Sequence, residues 1–301
     1  TVVTFENGED STAVLSGFKI IDGLNDYGGG VFCDNSSPIL KNLIVMNNNA
    51  WKGGGGVYGN YSDFQILNSK IHFNNLLTGT QETYNASGGG VMSMRATPKI
   101  SGCMITNNLS AHGGGGVKLY NSQITIINTI ISANNCQYGS GDCGVKAEES
   151  SPTLINTTVV FNTNGGIVSY GSESSSIVNI LNSVIYGNGD DLTIYQNGAF
   201  SISHSLIDGG YSGTGNIDAD PLFVDAANGD YRLSDYSPAI GAGTASVTIG
   251  GTAFTAPGTD INGNARPNPA NTDPDMGAYE NALPSQRPKA GTIADGLTTD
   301  V

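Results

Sequence analysis

The sequence predicts an all-β solenoid, a rod of stacked coils, from three observations. Glycine runs recur along the chain, the spacing behind each run is constant, and aliphatic residues fall into repeating columns. The run in "NAWKGGGGVYGN" (49–60) returns as "DYGGGVFC" (26–33), "ASGGGVMS" (86–93) and "AHGGGGVKL" (111–119), then more weakly as "CGVK" and "NGGIV". A phosphate-cradling loop closes with Gly-Lys-Ser/Thr and opens a helix. Here Val57-Tyr58 follows, and a ligand loop has no reason to repeat.

The apolar residues after the runs are Val31, Val57, Val91, Val117, Val145 and Ile167. The distance from each to the next block-ending asparagine (Asn48, Asn74, Asn108, Asn134, Asn162, Asn188) is 17 residues five times and 21 once. From asparagine to the next anchor it varies as 9, 17, 9, 11 and 5. Length variation is therefore confined to one connection, as in a solenoid whose loops leave one edge. Inside the block, one column reads Leu40, Ile66, Ile100, Ile126, Leu154, Ile180, Ile202, and another Val45, Ile71, Ile105, Ile131, Val159, Ile185, Ile207. Short β-branched runs broken by Asn, Gly and Ser are strands. Between the columns lies a polar corner: Gly17, Asn42, Asn68, Gly102, Asn128, Asn156, Asn182, His204. Stacked asparagines can bond amide to amide along the axis. Both asparagine columns are read as ladder positions, with Asn48, Asn74, Asn108, Asn134, Asn162 and Asn188 as the structural ladder. Glycine at the remaining corner permits positive φ.

On these residues the chain resembles the right-handed parallel β-helix (pectate-lyase-like) superfamily over roughly residues 1–210. A leucine-rich repeat is excluded by the missing L-x-x-L-x-L spacing and the scarcity of helix formers. About eight coils would make a rod of roughly 35–40 Å.

After Gly210 the repeat dissolves into "NIDADPLFVDAANGDYRLSDYSPAIGAG" and "DINGNARPNPANTDPDMGAYE". This pair resembles the carboxy-terminal segment of many secreted bacterial β-helix proteins. Physically it reads as an irregular cap over 211–282, closing an exposed sheet edge. Residues 283–301 read as a linker to a missing module, and "TVVTFENGED" starts mid-coil, so a fragment of a larger, monomeric protein is expected. In "DINGN", Asp260, Asn262 and Asn264 alternate faintly like a calcium loop, although turn formation alone accounts for Asn-Gly. No cofactor is required by the sequence, and calcium is the one allowed for. Cys136 and Cys143 bracket a variable loop and are expected to form a disulfide on export. Cys33 and Cys103, two coils apart, are expected to be buried thiols.

Charged residues are 13% of the chain and the formal net charge is −14. That charge repels nucleic acid, no apolar run reaches a membrane span, and the composition suits a secreted or cell-surface protein. Strand alternation points Phe32, Tyr58, Met92, Lys118, Lys146 and Val168 outward, with Asp34, Asn60, Met94, Tyr120, Glu148 and Tyr170 two places on. Aromatic faces beside polar groups suit sugar rings. The edge loops, which carry Trp51, Glu82, Tyr84, His112, Tyr138 and Asp142, would wall a groove. Substrate-binding candidates are thus Trp51, Tyr58, Glu82, Tyr84, His112, Tyr120, Glu148 and Tyr170, or else these are a solvated sheet face.

Two function classes follow. The first is a non-catalytic module binding polysaccharide, a surface glycan or a protein partner. The second is a polysaccharide lyase, which the resemblance implies. Lys118 and Lys146 share a column, so their mutual repulsion would lower a lysine pKa toward that of a base, and Arg95 would bind the substrate carboxylate. Otherwise they are solvated lysines flanking Glu148. A glycosidase would need two carboxyls about 5–10 Å apart, which the outward face does not offer.

Overall fold

Four short strands and four sharp corners build each coil of the solenoid. The computed structural model describes residues 1–77, 87–137, 142–249 and 251–288. The second coil runs Val31–Asp34, Ile39–Lys41, Ile44–Met46 and Asn49–Gly53. The left-handed corners between and after them are Asn35 (φ 48°), Asn42 (φ 53°), Asn47 (φ 54°) and Gly54 (φ 62°). Asn and Gly tolerate this conformation at least cost, which is why they punctuate the sequence. Successive coils pair in parallel and in register, Val31 beside Val57 and Leu40 beside Ile66, for about seven turns, not eight. The last stretch is an incomplete coil, and the sheet through Asn49–Gly53 has only five strands.

Both aliphatic columns point inward and form one core. The glycines following the left-handed one serve a different need. A Cβ on Gly55 would lie 2.6 Å from the Gly89 carbonyl oxygen of the next coil, so the backbones there approach too closely for any side chain.

Of the two asparagine columns the one from Asn48 to Asn188 is the continuous ladder, the corner column making a single long amide contact from Asn182 to Asn156 at 3.5 Å. Each amide nitrogen donates to the next Oδ1, from Asn48 through Asn74, Asn108, Asn134 and Asn162 to Asn188, at 2.8–3.0 Å. Each Oδ1 also accepts the backbone N–H of the preceding ladder residue, as Asn108 does from Asn74 at 3.0 Å. The second N–H of each amide goes to a carbonyl, for Asn108 that of Ile71 at 2.9 Å. The buried amides are thereby satisfied. Asp191 ends the series, its Oδ1 accepting from Asn188 Nδ2 at 2.7 Å and from its backbone at 2.9 Å. The corner column instead supplies left-handed residues, with Asn68 exposed at φ 47°. A hydroxyl column was not foreseen: Leu43 N–H donates to Ser69 Oγ, Thr157 N–H to Ser183 Oγ, and Ser183 N–H to Ser205 Oγ, at 3.0–3.1 Å.

The single 21-residue block has a visible consequence. There the chain forms one strand, Ile167–Leu181, that belongs to two faces of the coil, with a register shift between Gly171 and Ser176. It joins those faces into one fourteen-stranded sheet.

The C-terminal segment divides its work. Tyr211 packs on Phe200 and the main core at the end of the last coil. The remainder carries two small antiparallel hairpins and lies along the flank, where Tyr231, Leu233, Ile240 and Met276 cover Ile130, Val160, Val184 and Leu206. The last three corner asparagines seat it: Asn128, Asn156 and Asn182 donate to the carbonyls of Thr259, Asp275 and Thr244. Arg266 and Glu280, both with 0% side-chain exposure, form its centre. Arg266 Nε donates to Glu280 at 2.7 Å, Nη1 to Asn128 Oδ1 at 2.6 Å and Nη2 to the Gly277 carbonyl at 3.0 Å. Burial and the Glu280 charge push Asp275 beside them up to about 7.

Replacing Asn108 with Ala removes four buried hydrogen bonds, from the backbone and amide N–H of Asn74 and to Asn134 Oδ1 and the Ile71 carbonyl, so it should lower unfolding stability in urea by roughly 3 kcal/mol or more. Asn68→Gly, at a left-handed corner, should change it by less than about 1 kcal/mol. Equal effects would mean the ladder is not what binds the coils. Arg266→Met strands a buried carboxylate and should cost about 3–5 kcal/mol, most of which the double change with Glu280→Met restores.

Candidate functional site

The two outward columns of the first face are in register as the sequence pattern implies. One runs Phe32, Tyr58, Met92, Lys118, Lys146, Val168, Thr193, and the other Asp34, Asn60, Met94, Tyr120, Glu148, Tyr170, Tyr195. Their surroundings differ from the expectation of two exposed columns. The first lies in a crease against the glycine corners: a Cβ on Gly54 or Gly88 would collide with Tyr58 or Met92. Tyr58 is consequently 6% exposed. It stacks on Phe32 and packs tilted against Tyr27, and burial pushes its phenol up to about 12. Tyr58 is therefore a packing residue, with little surface to offer a ligand.

Lys118 is shielded from solvent and Lys146 is half-buried. Lys118 is 4% exposed, and its ammonium binds the Glu148 carboxylate. Lys146 binds Asp142 at 2.7 Å, and Asp142 is itself buried, its Oδ1 lacking a hydrogen-bond partner among the described residues. Burial first, and then the Lys146 charge, bring Lys118 down to about 8, against the pull of Glu148. Lys146 is raised, its burial outweighed by Asp142. The expected depression of one lysine is present, but both ammonium groups are held by carboxylates.

The second column faces solvent. Tyr120 and Tyr170 are half-buried and Tyr195 is 39% exposed. Tyr170 and Tyr195 meet edge to face, ring centroids 6.5 Å apart. Arg95 occupies a left-handed corner (φ 52°), its guanidinium 5.5 Å from the Tyr61 ring and 5.8 Å from that of Tyr120. Tyr61, Arg95, Tyr120, Glu148, Tyr170 and Tyr195 thus mark six successive strands, a stripe of about 24 Å at ~4.8 Å per step. Sequence reasoning missed Tyr61 and Tyr195. Simple alternation turns Tyr61 away from Asn60's face, whereas its left-handed backbone (φ 45°) keeps it exposed at the same edge. Tyr195 belongs to a coil without a glycine run to mark its register.

The other candidates are dispersed. Trp51 is half-buried on the sheet through Asn49–Gly53. His112 is half-buried, its carbonyl accepting from Ser87 Oγ at 2.6 Å. Glu82, Tyr84 and Tyr138 lie outside the described residues. Asp260 accepts from the backbones of Asn262, Asn264 and Glu280 and from Asn264 Nδ2, at 2.8–3.2 Å. A carboxylate facing four donors makes a turn, and among the described residues no group of three or more His, Cys, Asp or Glu is placed to hold a metal. Cys136 and Cys143, expected as a disulfide, are buried free thiols that share a hydrogen bond. Cys33 and Cys103 are buried thiols pushed up to about 12 by desolvation, and so inert.

Compared with family models, curated proteins and solved structures, the chain finds no match in any of the three. Fold and face together define a class only: a parallel β-solenoid with an asparagine ladder and an aromatic stripe along one outward face.

Lys118 offers a direct check on this electrostatic arrangement. Between pH 8 and 10.5 the folded chain has released a proton that the unfolded chain retains, so stability attributable to this group rises with pH. The stability difference between the parent and Lys118→Met should grow by about 2–3 kcal/mol across that window in chemical denaturation. A flat difference would place Lys118 at an ordinary lysine pKa.

Proposed function

We propose that this chain is an extracellular or cell-surface module of the right-handed, pectate-lyase-like kind, and that it binds carbohydrate through the stripe. The observation that carries this reading is the alignment of Tyr61, Tyr120, Tyr170 and Tyr195 along one rigid face, with Arg95 among them. Tyrosine gives a flat apolar surface for the C–H face of a sugar and a hydroxyl for its rim. The in-register stacked strands fix the backbone that carries these rings before binding, which lowers the ordering cost. The acidic, lysine-poor composition agrees with an exported, monomeric protein whose partner is a polysaccharide or surface glycan. Calcium is not needed for this mode of binding.

A polysaccharide lyase is the second reading, favoured by one observation. Lys118, brought down to about 8 beside Lys146 and one strand from Arg95, has the properties of a base near a carboxylate-binding group. Its burial and its bond to Glu148 weigh against it, since substrate would have to displace both. A hydrolase is less favoured, because Asp142 and Glu148 are each committed to a lysine.

Affinity electrophoresis against neutral and acidic polysaccharides separates the two. The expected result is retardation by at least one glycan without product formation, and a five- to tenfold weaker affinity for Tyr120→Ala, about 1 kcal/mol. Absorbance from unsaturated product, abolished by Lys118→Ala, would replace the binding reading with the lyase. No retardation by any glycan would end it.

A further inference from the structure

Arg95 differs from the other arginines of the chain. Of the four, Arg232, Arg266 and Arg287 each bind a carboxylate. Arg95 has no carboxylate partner among the described residues, although the chain carries 26 acidic side chains against 12 basic ones. Its guanidinium lies 5.5 Å from the centre of the Tyr61 ring and 5.8 Å from that of Tyr120. Cation–π contact of this kind uses no hydrogen bond, so it leaves the guanidinium N–H fork, which matches two oxygens of an oxyanion, available. The group is accessible, since Arg95 and Tyr61 are both exposed. Its backbone is also fixed, held in the left-handed region and donating to the Tyr120 carbonyl at 3.0 Å. A non-glycine residue in that conformation persists only where surrounding structure imposes it.

The charges on either side limit what this cation can accept. Asp34 lies two strands before it on the same face, and Glu148 and Glu149 follow two strands after. Two strands are about 10 Å, near the screening length at ~0.1 M salt. An anion at Arg95 is attracted, whereas anions one or two sugars further along meet these carboxylates. Glu148 is partly compensated by Lys118, but half-buried Glu149 accepts from the N–H and O–H groups of the Ser172–Ser174 turn, which hold its carboxylate at about 2 and keep it ionised.

We infer that Arg95, in cation–π contact with Tyr61 and Tyr120, is a subsite for one oxyanion substituent, a carboxylate or sulfate half-ester, on an otherwise neutral glycan lying along the stripe. This rests on the carbohydrate-binding reading and adds to it a ligand class. A polymer charged at every residue is selected against by the flanking acids and by the net charge of −14.

The test measures binding of the full chain to four sets of probes by affinity electrophoresis and calorimetry. They are neutral xylan, galactan and glucomannan oligosaccharides; the same with one uronic acid; the same with one sulfate; and a polyuronate. The expected result is at least tenfold tighter binding of a singly charged form than of its neutral parent, with the polyuronate no tighter than the neutral glycan. That gain should disappear in Arg95→Gln, be only partly kept in Arg95→Lys, and shrink as salt is added. Whether the uronate or the sulfate arm gains identifies the oxyanion. Equal affinity for neutral and singly charged probes, a gain that survives Arg95→Gln, or tightest binding of the polyuronate would each overturn the inference while leaving carbohydrate binding intact. Binding of no probe at all would remove both.

Discussion

The amide ladder from Asn48 to Asn188 is the interaction on which the remainder of the solenoid depends. A coil of this kind turns four times within about two dozen residues, and each turn takes backbone N–H and C=O groups out of regular pairing. At the ladder corner those groups are buried, where an unpaired donor or acceptor is expensive. The amide is the one neutral side chain with two donors and two acceptor sites, so one asparagine per coil links the coils before and after it and takes a carbonyl besides. Serine and threonine hydroxyls do part of this at the next corner, where only one N–H has to be met. The constant 17-residue spacing follows, because a one-residue slip would turn the asparagine out of the amide position and leave the neighbouring coil unpaired.

A rigid stack fixes what its outward columns can become. In-register pairing places like positions ~4.8 Å apart, so a residue's neighbours on the face come from other coils and not from adjacent sequence. Tyr61, Arg95 and Tyr120 meet only because three coils present them in turn. The glycine corners act on the face in a second way. Lacking side chains, they let the backbone close over Tyr58, Met92 and Lys118, so that one of two formally outward columns is buried and the other remains open. Lys118 then sits in low dielectric, which explains both its bond to Glu148 and its depressed pKa.

The C-terminal segment shows the same principle at the flank. The outward column of the sheet through Ile44–Met46 changes from exposed Ile44 to buried Ile130, Val184 and Leu206. The segment covers that apolar half, with Arg266 and Glu280 enclosed at its contact with Asn128. Burying that pair is affordable only because the surrounding groups complete its hydrogen bonds. They also tie the segment to specific corners of specific coils.

The repeat, the parallel stacking, the inward columns and the register of the outward ones were legible in the chain, because coil geometry is periodic and each corner demands a residue type that shows in the sequence. The ladder residues could be named, but which asparagine column carried the amide bonds could not, since both recur with the same period and only the burial of a corner separates them. The stripe was half legible. Tyr120 and Tyr170 followed from alternation, whereas Tyr61 depends on a left-handed backbone and Tyr195 on a coil without the repeat's punctuation. Tyr58 and Lys118 were placed correctly along the strand and wrongly with respect to water. Sequence by itself determined the direction in which each side chain leaves its own strand, a local property of the backbone. Only the tertiary structure decided which of those side chains another segment covers, because that depends on contacts between residues far apart in the chain.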